Sequence, residues 1–115
     1  MRRLHISDSA IEDLRSISDY TWDTHGPDIH ERYLGLLQTA LSDLGEDPDR
    51  LGVRESVPGF IAYHLKHSKR TALAKGFRID TPRHVVFFRV PSDGVVEIVR
   101  ILHDSMDWRR HLKED

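Results

Sequence analysis

Near its carboxyl end the chain carries charged and titratable side chains whose spacing could support chemistry. Arg100 and His103 end an apolar run, and Asp107 follows shortly after them. A nuclease needs a cation beside the scissile phosphate and a group that moves a proton, and arginine and histidine supply these functions. If the chain cuts RNA, the catalytic candidates are Arg89, Arg100 and His103, with His84 close by on the adjacent run.

The same residues also suit structural or partner-binding roles, which we favour. Arg100 can pair with Asp104 or Asp107, and His103 can hydrogen-bond to the backbone at the end of its strand. On a continuous helix, His103, Asp107 and His111 would form a stripe of metal-capable side chains. Because His103 belongs to the preceding β-type run, we expect no metal site, and nothing else in the sequence indicates a cofactor.

A second concentration of charge is basic and lies in the middle of the chain. It comprises Lys66, Lys69, Arg70, Lys75, Arg78 and Arg83. This run is the best candidate for contact with an acidic partner, the alternative being a solvated loop. The chain as a whole is slightly acidic, with a formal net charge of −2 and a pI near 6.4. Proteins that bind nucleic-acid backbones usually carry an excess of basic residues. We therefore expect direct nucleic-acid binding to be absent or secondary.

Length and composition define the class of protein. A chain of 115 residues with 38% hydrophobic and 31% charged residues fits one globular domain, residues 1–115. There is no cysteine, which excludes disulfides and thiolate sites and fits the reducing cytoplasm. No apolar run approaches the ~18 residues of a membrane span, and the basic start of the chain lacks the apolar segment of a signal peptide. We therefore expect no membrane partner.

The first half of the chain predicts a strand followed by two helices. Residues 3–6 alternate between polar and apolar types, as in a half-buried strand. The capping-box sequence at 9–12 predicts the start of a helix, and Gly-Pro at 26–27 predicts its end and the start of the next. The second helix has apolar residues at three-four spacing and closes at Gly45. Those apolar residues are Ile29, Tyr33, Leu36, Leu37, Ala40, Leu41 and Leu44.

The second half of the chain predicts mainly strands. Residues 61–66 alternate in polarity and indicate a strand. Residues 68–75 could form one or two turns of helix or a loop, and residues 77–79 could extend the sheet. Two β-rich runs, 84–90 and 95–102, flank a Pro-Ser-Asp-Gly sequence, which is a strong hairpin signal.

The end of the chain completes the predicted architecture. Trp108 and Leu112 are spaced to anchor a short terminal helix. The order of elements is then β-α-α-β-β-β. We expect an α+β fold in which a helical hairpin packs on one face of a small antiparallel sheet.

A longer pattern of residue types runs through nearly the whole chain. Its first half contains Ile6-Ser7, Ala10, Asp13-Leu14, Tyr20-Thr21, Gly26, Tyr33, Leu41 and Pro48. Its more specific second half contains Arg83-His84, Phe88-Arg89, Glu97-Ile98, Arg100 to His103, Met106-Asp107 and Arg110 to Leu112. In these residues the chain resembles the ParE toxins of the RelE/ParE superfamily, the toxin halves of bacterial type II toxin–antitoxin systems. It departs from the family pattern at Phe60 and in a longer basic stretch at 68–76.

This resemblance implies a RelE/ParE-like fold and a protein that acts by binding. ParE-type toxins stall DNA gyrase on DNA, and an antitoxin silences them by wrapping an extended segment around them. The expectation is a non-catalytic gyrase inhibitor of the cytoplasm, active in plasmid maintenance or growth regulation. Its cognate antitoxin would bind it in a hetero-oligomer, at a sheet edge or across the open side of the hairpin. The expected partner-binding residues are Arg100, His103, Met106, Asp107, Trp108 and Arg110.

Two rival functions stay open at this point. A RelE-like ribosome-dependent mRNA endonuclease would use Arg89, Arg100 and His103 as its catalytic groups. A toxin-fold protein that has lost its target would only bind the antitoxin and co-repress the operon. Forced expression separates the second rival from the others, because such a protein would not arrest growth.

Overall fold

The computed structural model describes residues 3–91 and 93–112. One long interrupted helix precedes most of the sheet, and a short helix follows it. The elements are, in chain order, β1 (Leu4–Ile6), α1 (Asp8–Glu46), β2 (Arg54–Glu55), β3 (Ile61–His64), a 3₁₀ turn (Leu65–Ser68), α2 (Lys69–Ala74), β4 (His84–Arg89), β5 (Val96–His103) and α3 (Trp108–His111). Across the described residues, none of the helices combines the length and the apolar character needed to cross a bilayer.

Helix α1 is a hairpin of two arms that reverses at Gly26. This glycine has φ 83° and ψ 178°, outside the helical region, and Pro27 opens the second arm. The Ser18 hydroxyl lies 2.8 Å from Nε2 of His30, although twelve residues of straight helix would hold them about 18 Å apart. The predicted helical hairpin is therefore confirmed.

The two ends of α1 differ slightly from the sequence-based expectation. The helix begins at Asp8 with Ser7 as its cap, because the Ser7 hydroxyl accepts a hydrogen bond from the Ala10 amide at 3.1 Å. The predicted cap at Ser9 is wrong, since Ser9 already lies within the first turn. At the other end the helix passes through Gly45 and stops at Glu46.

The sheet has five strands in the order β1-β5-β4-β3-β2. Strands β2 to β5 form an antiparallel meander, and β1 pairs in parallel with β5 at Val96 to Ile98. The predicted α+β fold and hairpin strands are confirmed, with Gly94 at φ 80° in the turn. Ser92 of that turn lies outside the described residues. The two-residue strand β2 was not predicted. It is too short to show a pattern of its own and is recognised only by its pairing with β3 in the described structure.

The predicted sheet extension at residues 77–79 is wrong. These residues form no strand and pack their apolar side chains on α1 instead. A Cβ atom at Gly35 of α1 would lie 2.3 Å from the Phe77 ring, so the ring sits directly on the helix backbone. Ile79 is buried in the same core. Packing against the hairpin thus replaces strand pairing for this segment.

Both faces of the central strand β4 are buried, which explains its continuous apolar sequence. On one face, α1 packs against a core that includes Tyr63, Val86 and Phe88. On the other face a smaller core is closed by the end of the chain. It contains Phe60, Ala62, Val85, Phe87, Leu102 and Leu112, with Trp108 packed against it. The predicted anchoring of α3 by Trp108 and Leu112 is therefore confirmed.

Candidate partner-binding surface

Beyond Ile98, the outer edge of β5 is covered by the start of α1 and not by a strand. The Ser7 hydroxyl donates to the Val99 carbonyl at 2.8 Å. The Asp13 carboxylate accepts from the Ile101 amide at 2.9 Å. These two side chains satisfy backbone groups that a longer β1 would have paired. A partner strand therefore cannot simply extend β1 along this edge.

Arg100 binds Asp13 through two parallel hydrogen bonds. Nε donates to one carboxylate oxygen at 2.8 Å and Nη2 donates to the other at 2.9 Å. The bond to Asp13 holds the pKa of Arg100 above its usual value. Nη1 also lies 3.4 Å from the His111 carbonyl, so Arg100 ties α1 to the end of α3.

The predicted pairing of Arg100 with Asp104 or Asp107 is wrong. Asp104 lies past the end of β5. Its Oδ1 atom accepts hydrogen bonds from Nε and Nη2 of Arg83, at 3.0 and 2.8 Å. Its other oxygen accepts from Nε2 of His64 at 3.0 Å. Mainly because of the bonds from Arg83, the pKa of Asp104 falls to about 2. Asp104 thus joins the end of β5 to the start of β4 and the end of β3.

Tyr33 and His84 form a second polar contact between α1 and the sheet. The Tyr33 hydroxyl accepts from the Arg83 amide at 3.1 Å and donates to Nδ1 of His84 at 2.6 Å. Burial raises the pKa of Tyr33 to about 12 and lowers the pKa of His84 to about 4. At neutral pH the imidazole is therefore uncharged, with its proton on Nε2. Sequence reasoning missed this contact, because Tyr33 reads as one more member of the apolar stripe of α1.

His103 sits beside His84, with ring centroids 5.4 Å apart and nearly perpendicular planes. Its Nδ1 accepts from the Ser105 amide at 3.1 Å. The expected hydrogen bond to the backbone is therefore present. The stripe of metal-capable side chains required a continuous helix from His103 to His111. In the structure His103 ends β5 and His111 ends α3. Among the described residues no three potential ligands come together to hold an ion.

The structure does not bring the three nuclease candidates together. Arg89 pairs with Glu97 at 2.7 Å beside the hairpin turn. His103 lies opposite His84, five residues from Arg89 along β4, which corresponds to about 17 Å. Arg100 lies between them but is held by Asp13. A single phosphate could not contact all three side chains in this arrangement.

The remaining predicted partner-binding residues lie at the surface around α3. Met106 is 45% exposed, and the side chains of Asp107 and Arg110 are mostly in solvent. Trp108 packs edge-on against Phe87, with centroids 5.1 Å apart. Within the described part of the chain, the buried indole N–H of Trp108 has no hydrogen-bond partner. Trp108 thus supports the surface from below, while the other three present their side chains to solvent.

Two concave regions meet at Met106. The first, called here the α1–β5 groove, has a volume of about 390 Å³ and is lined by Ile17, Tyr20, Ile101, His103 and Met106 among others. The second, of about 450 Å³, lies on the other side of Met106. Its lining includes Val57, Pro58, Asp107 and Trp108. Met106 is therefore the residue that these two regions share.

The basic run does not form one surface. Arg78 pairs with Asp80, and Arg83 pairs with Asp104. Lys66 lines a separate cavity of about 520 Å³ on the sheet face away from α1. Arg70 projects into solvent from α2. The basic residues are therefore divided among several places, and Arg70 fits the alternative of a solvated segment.

The fold belongs to a known class of small α+β proteins. A solved chain described as "Chromosomal ParDE TA system from P. aeruginosa" superposes with a TM-score of 0.66 at 20% sequence identity. The alignment covers 90% of this chain and 96% of that chain. The helical hairpin on a small sheet is therefore an arrangement already seen in a solved toxin–antitoxin structure.

The sequence assigns the family within this class. Residues 4–108 match the model of the family described as "ParE toxin of type II toxin-antitoxin system, parDE". The chain is 31% identical over 112 residues to Toxin ParE1 from two strains of Mycobacterium tuberculosis, covering 96% of this chain and 97% of the relative. The chain belongs to the ParE toxin family of type II toxin–antitoxin systems, as its resemblance to that family predicted.

Proposed function

We propose that this ParE-family toxin is neutralised by a cognate antitoxin and, when free, inhibits DNA gyrase by protein–protein binding. We call the binding surface the C-terminal surface. In it His103, Met106, Asp107 and Arg110 contact the partner, while Arg100 and Trp108 hold the segment in place. Residues 1–115 act as one domain in the cytoplasm, within a toxin–antitoxin hetero-oligomer. Family membership supports the antitoxin and the target, and the geometry supports binding over catalysis.

The observation that carries this proposal is the ion pair between Arg100 and Asp13. A catalytic arginine must be free to contact a phosphate, whereas this one is held by a carboxylate on two atoms. Arg89 is likewise occupied by Glu97. The groups left exposed on the C-terminal surface are a thioether and the charged side chains of Asp107 and Arg110, which suit contact with another protein.

The mRNA endonuclease is the second candidate, and one observation favours it. The 520 Å³ cavity is lined by Arg54, His64, Lys66 and His67. Both ring nitrogens of His64 are engaged, by Asp104 and by the Lys66 amide. A nuclease would therefore rely on His67, whose pKa is lowered by burial, with the cations of Lys66 and Arg54 beside it. This set differs from the three candidates that the sequence indicated.

The deciding experiment pairs two assays on the purified chain freed from antitoxin. One measures gyrase supercoiling and trapped cleavage complexes, and the other measures mRNA cutting on translating ribosomes. We expect trapped gyrase–DNA complexes and intact mRNA. Cut mRNA that depends on His67 and Lys66 would instead establish the nuclease, and growth unaffected by forced expression would indicate a chain that only binds antitoxin.

A matched pair of variants tests the C-terminal surface itself. Met106→Glu and Leu73→Glu each place a carboxylate on a comparably exposed apolar position, 45% and 53% exposed. Met106 lies on the proposed surface and Leu73 lies on α2. We expect Met106→Glu to weaken gyrase inhibition by about tenfold or more, as for an interface anchor, and Leu73→Glu to leave it unchanged. Equal activity of the two variants would place the gyrase contact elsewhere.

A further inference from the structure

A cavity of about 480 Å³ lies between the tip of the α1 hairpin and the segment that leads into β4. We call it the Arg32 pocket. It is lined by Ile29, Arg32, Tyr33, Ile79, Arg83 and His84, among others. Of the residues that the sequence indicated for contact with a partner, Arg78, Arg83 and His103 line this pocket, whereas Arg32 was not among them.

The Arg32 pocket has more basic than acidic side chains in its lining, within a slightly acidic chain. Arg78 also lines it, and Asp80 is the one carboxylate among the described lining residues. Arg78 and Arg83 already have acidic partners, Asp80 and Asp104. Arg32 is half-buried and makes no ion pair or hydrogen bond with any residue that the structure describes. A cation held partly out of water without a counter-charge favours a negatively charged ligand.

The floor of the pocket indicates what kind of anion fits. Ile29 and Ile79 supply aliphatic surface, and the Tyr33 ring is almost completely buried beside them. A nucleic-acid backbone offers phosphates but no aliphatic group for such a floor. A glutamate or aspartate side chain next to an apolar residue matches both parts of the pocket.

The pocket is continuous with the α1–β5 groove. Tyr20, His84 and His103 line both of them. Tyr20 is 62% exposed and stands between the two concavities. Because Ser7 and Asp13 already satisfy the edge of β5 at Val99 and Ile101, a polypeptide in the groove would be held chiefly by its side chains. Following the groove toward the hairpin tip leads such a polypeptide into the pocket.

We propose that the Arg32 pocket binds the carboxylate of an acidic side chain of the antitoxin, from a segment that lies in the α1–β5 groove, with Arg32 as its ion-pair partner. An apolar residue next to that carboxylate covers Ile29 and Ile79. This inference rests on the proposed function in one respect, namely that the chain binds an antitoxin. It adds the site of one contact with the antitoxin, the Arg32 pocket, and the chemistry of that contact, an ion pair with a carboxylate.

The test compares Arg32→Glu with Arg70→Glu in binding to the purified cognate antitoxin by isothermal titration calorimetry. Both variants reverse one charge, and Arg70 lies on α2 outside the pocket. We expect Arg32→Glu to weaken binding by at least about tenfold, as when one partner of a desolvated charge pair is removed. Arg70→Glu should stay within about twofold, the effect of a charge outside the interface. Thermal melting should be unchanged for both variants, because Arg32 has no ion-pair partner in the described fold.

Charge reversal on the antitoxin identifies the opposite residue. Each acidic residue of its toxin-binding segment is changed singly to lysine, and one of these changes should restore binding to Arg32→Glu. Equal affinities of Arg32→Glu and Arg70→Glu would overturn the pocket assignment while leaving antitoxin neutralisation intact. A wild-type chain that fails to bind the antitoxin would overturn both. A loss confined to binding of a short DNA duplex would instead assign the pocket to phosphate and also overturn the proposal.

Discussion

The two ends of the β4–β5 hairpin hold their charged side chains in different ways. At the turn end, Arg89 pairs with Glu97, which lies directly opposite it in the strand ladder. Toward the other end, two polar side chains are held by residues from a distant element. Arg100 is bound by Asp13 of α1, and His84 is bound by Tyr33 of α1. The charged contact at the turn end is therefore local, whereas the contacts at the far end form only when α1 packs on the sheet.

This difference indicates where function and stability are coupled. The C-terminal surface begins where β5 ends, and Arg100 and Asp104 fix the direction in which the chain leaves the sheet. Loss of either contact should therefore alter the surface and the stability together. A change at the turn end should leave the surface as it is.

The largest effect is expected for Asp13→Ala. This change leaves the Arg100 guanidinium and the Ile101 amide without their acceptor in a largely buried place. We expect a loss of about 2–3 kcal/mol in the free energy of unfolding, toward the low end for a broken ion pair because Arg100 keeps some contact with water. Chemical denaturation monitored by circular dichroism measures it. A loss below about 0.5 kcal/mol would show that the contact adds nothing beyond a surface ion pair.

The Asp13 contact also shows what the sequence could not provide. Asp13 and Arg100 are 87 residues apart, and no local spacing rule relates them, so the sequence indicated the nearer acids Asp104 and Asp107. The strand hairpin was predictable, because Asp93 and Gly94 mark its turn within the segment itself. The helical hairpin was predictable for the same reason, from Gly26 and a regular apolar stripe.

Elements defined by their neighbours escaped prediction. Strand β2 is two residues long and is recognised only through its pairing with β3. Phe77 looked like a strand residue, but its ring fills the space that Gly35 leaves on α1. The Arg32 pocket was only partly indicated by the sequence. Arg78 and Arg83 belong to the basic run, but Arg32 follows Glu31 in an ordinary helical pattern and lies more than forty residues before them. Residue types near Met106 indicated a surface, and the fold then supplied the concave regions on both sides of it.

An intermediate effect is expected from pH at the far end of the hairpin. The pKa of His84 is about 4 in the folded chain, below its ordinary value of 6.5. The unfolded chain therefore binds this proton more readily, and stability is lost as pH falls from 6.5 toward 4. We expect a loss of about 2 kcal/mol between pH 7 and pH 5 that His84→Asn largely removes. Urea unfolding at the two pH values measures it.

The control for this pH effect is His5→Asn, on the exposed strand β1. The variant should keep the full pH dependence of the wild-type chain. Asp104 acts in a lower window, because its pKa is lowered to about 2 and its stabilising effect disappears only as pH falls from about 4 toward 2. The same pH dependence in His84→Asn and in the wild-type chain would mean that His84 is hydrated and that Tyr33 does not shield it.

The smallest effect is expected for Glu97→Gln at the turn end. The Arg89 side chain is 42% exposed, and its guanidinium also lies 5.9 Å from the Phe60 ring centroid, so it keeps a second contact when the ion pair is lost. We expect a loss of about 0.5 kcal/mol or less in the free energy of unfolding, which should shrink further in high salt. Antitoxin affinity should not change. In the double variant with Asp13→Ala the two losses should add, because the sites share no partner. A double-variant loss clearly smaller than that sum would mean that the strand ladder couples the two ends of the hairpin.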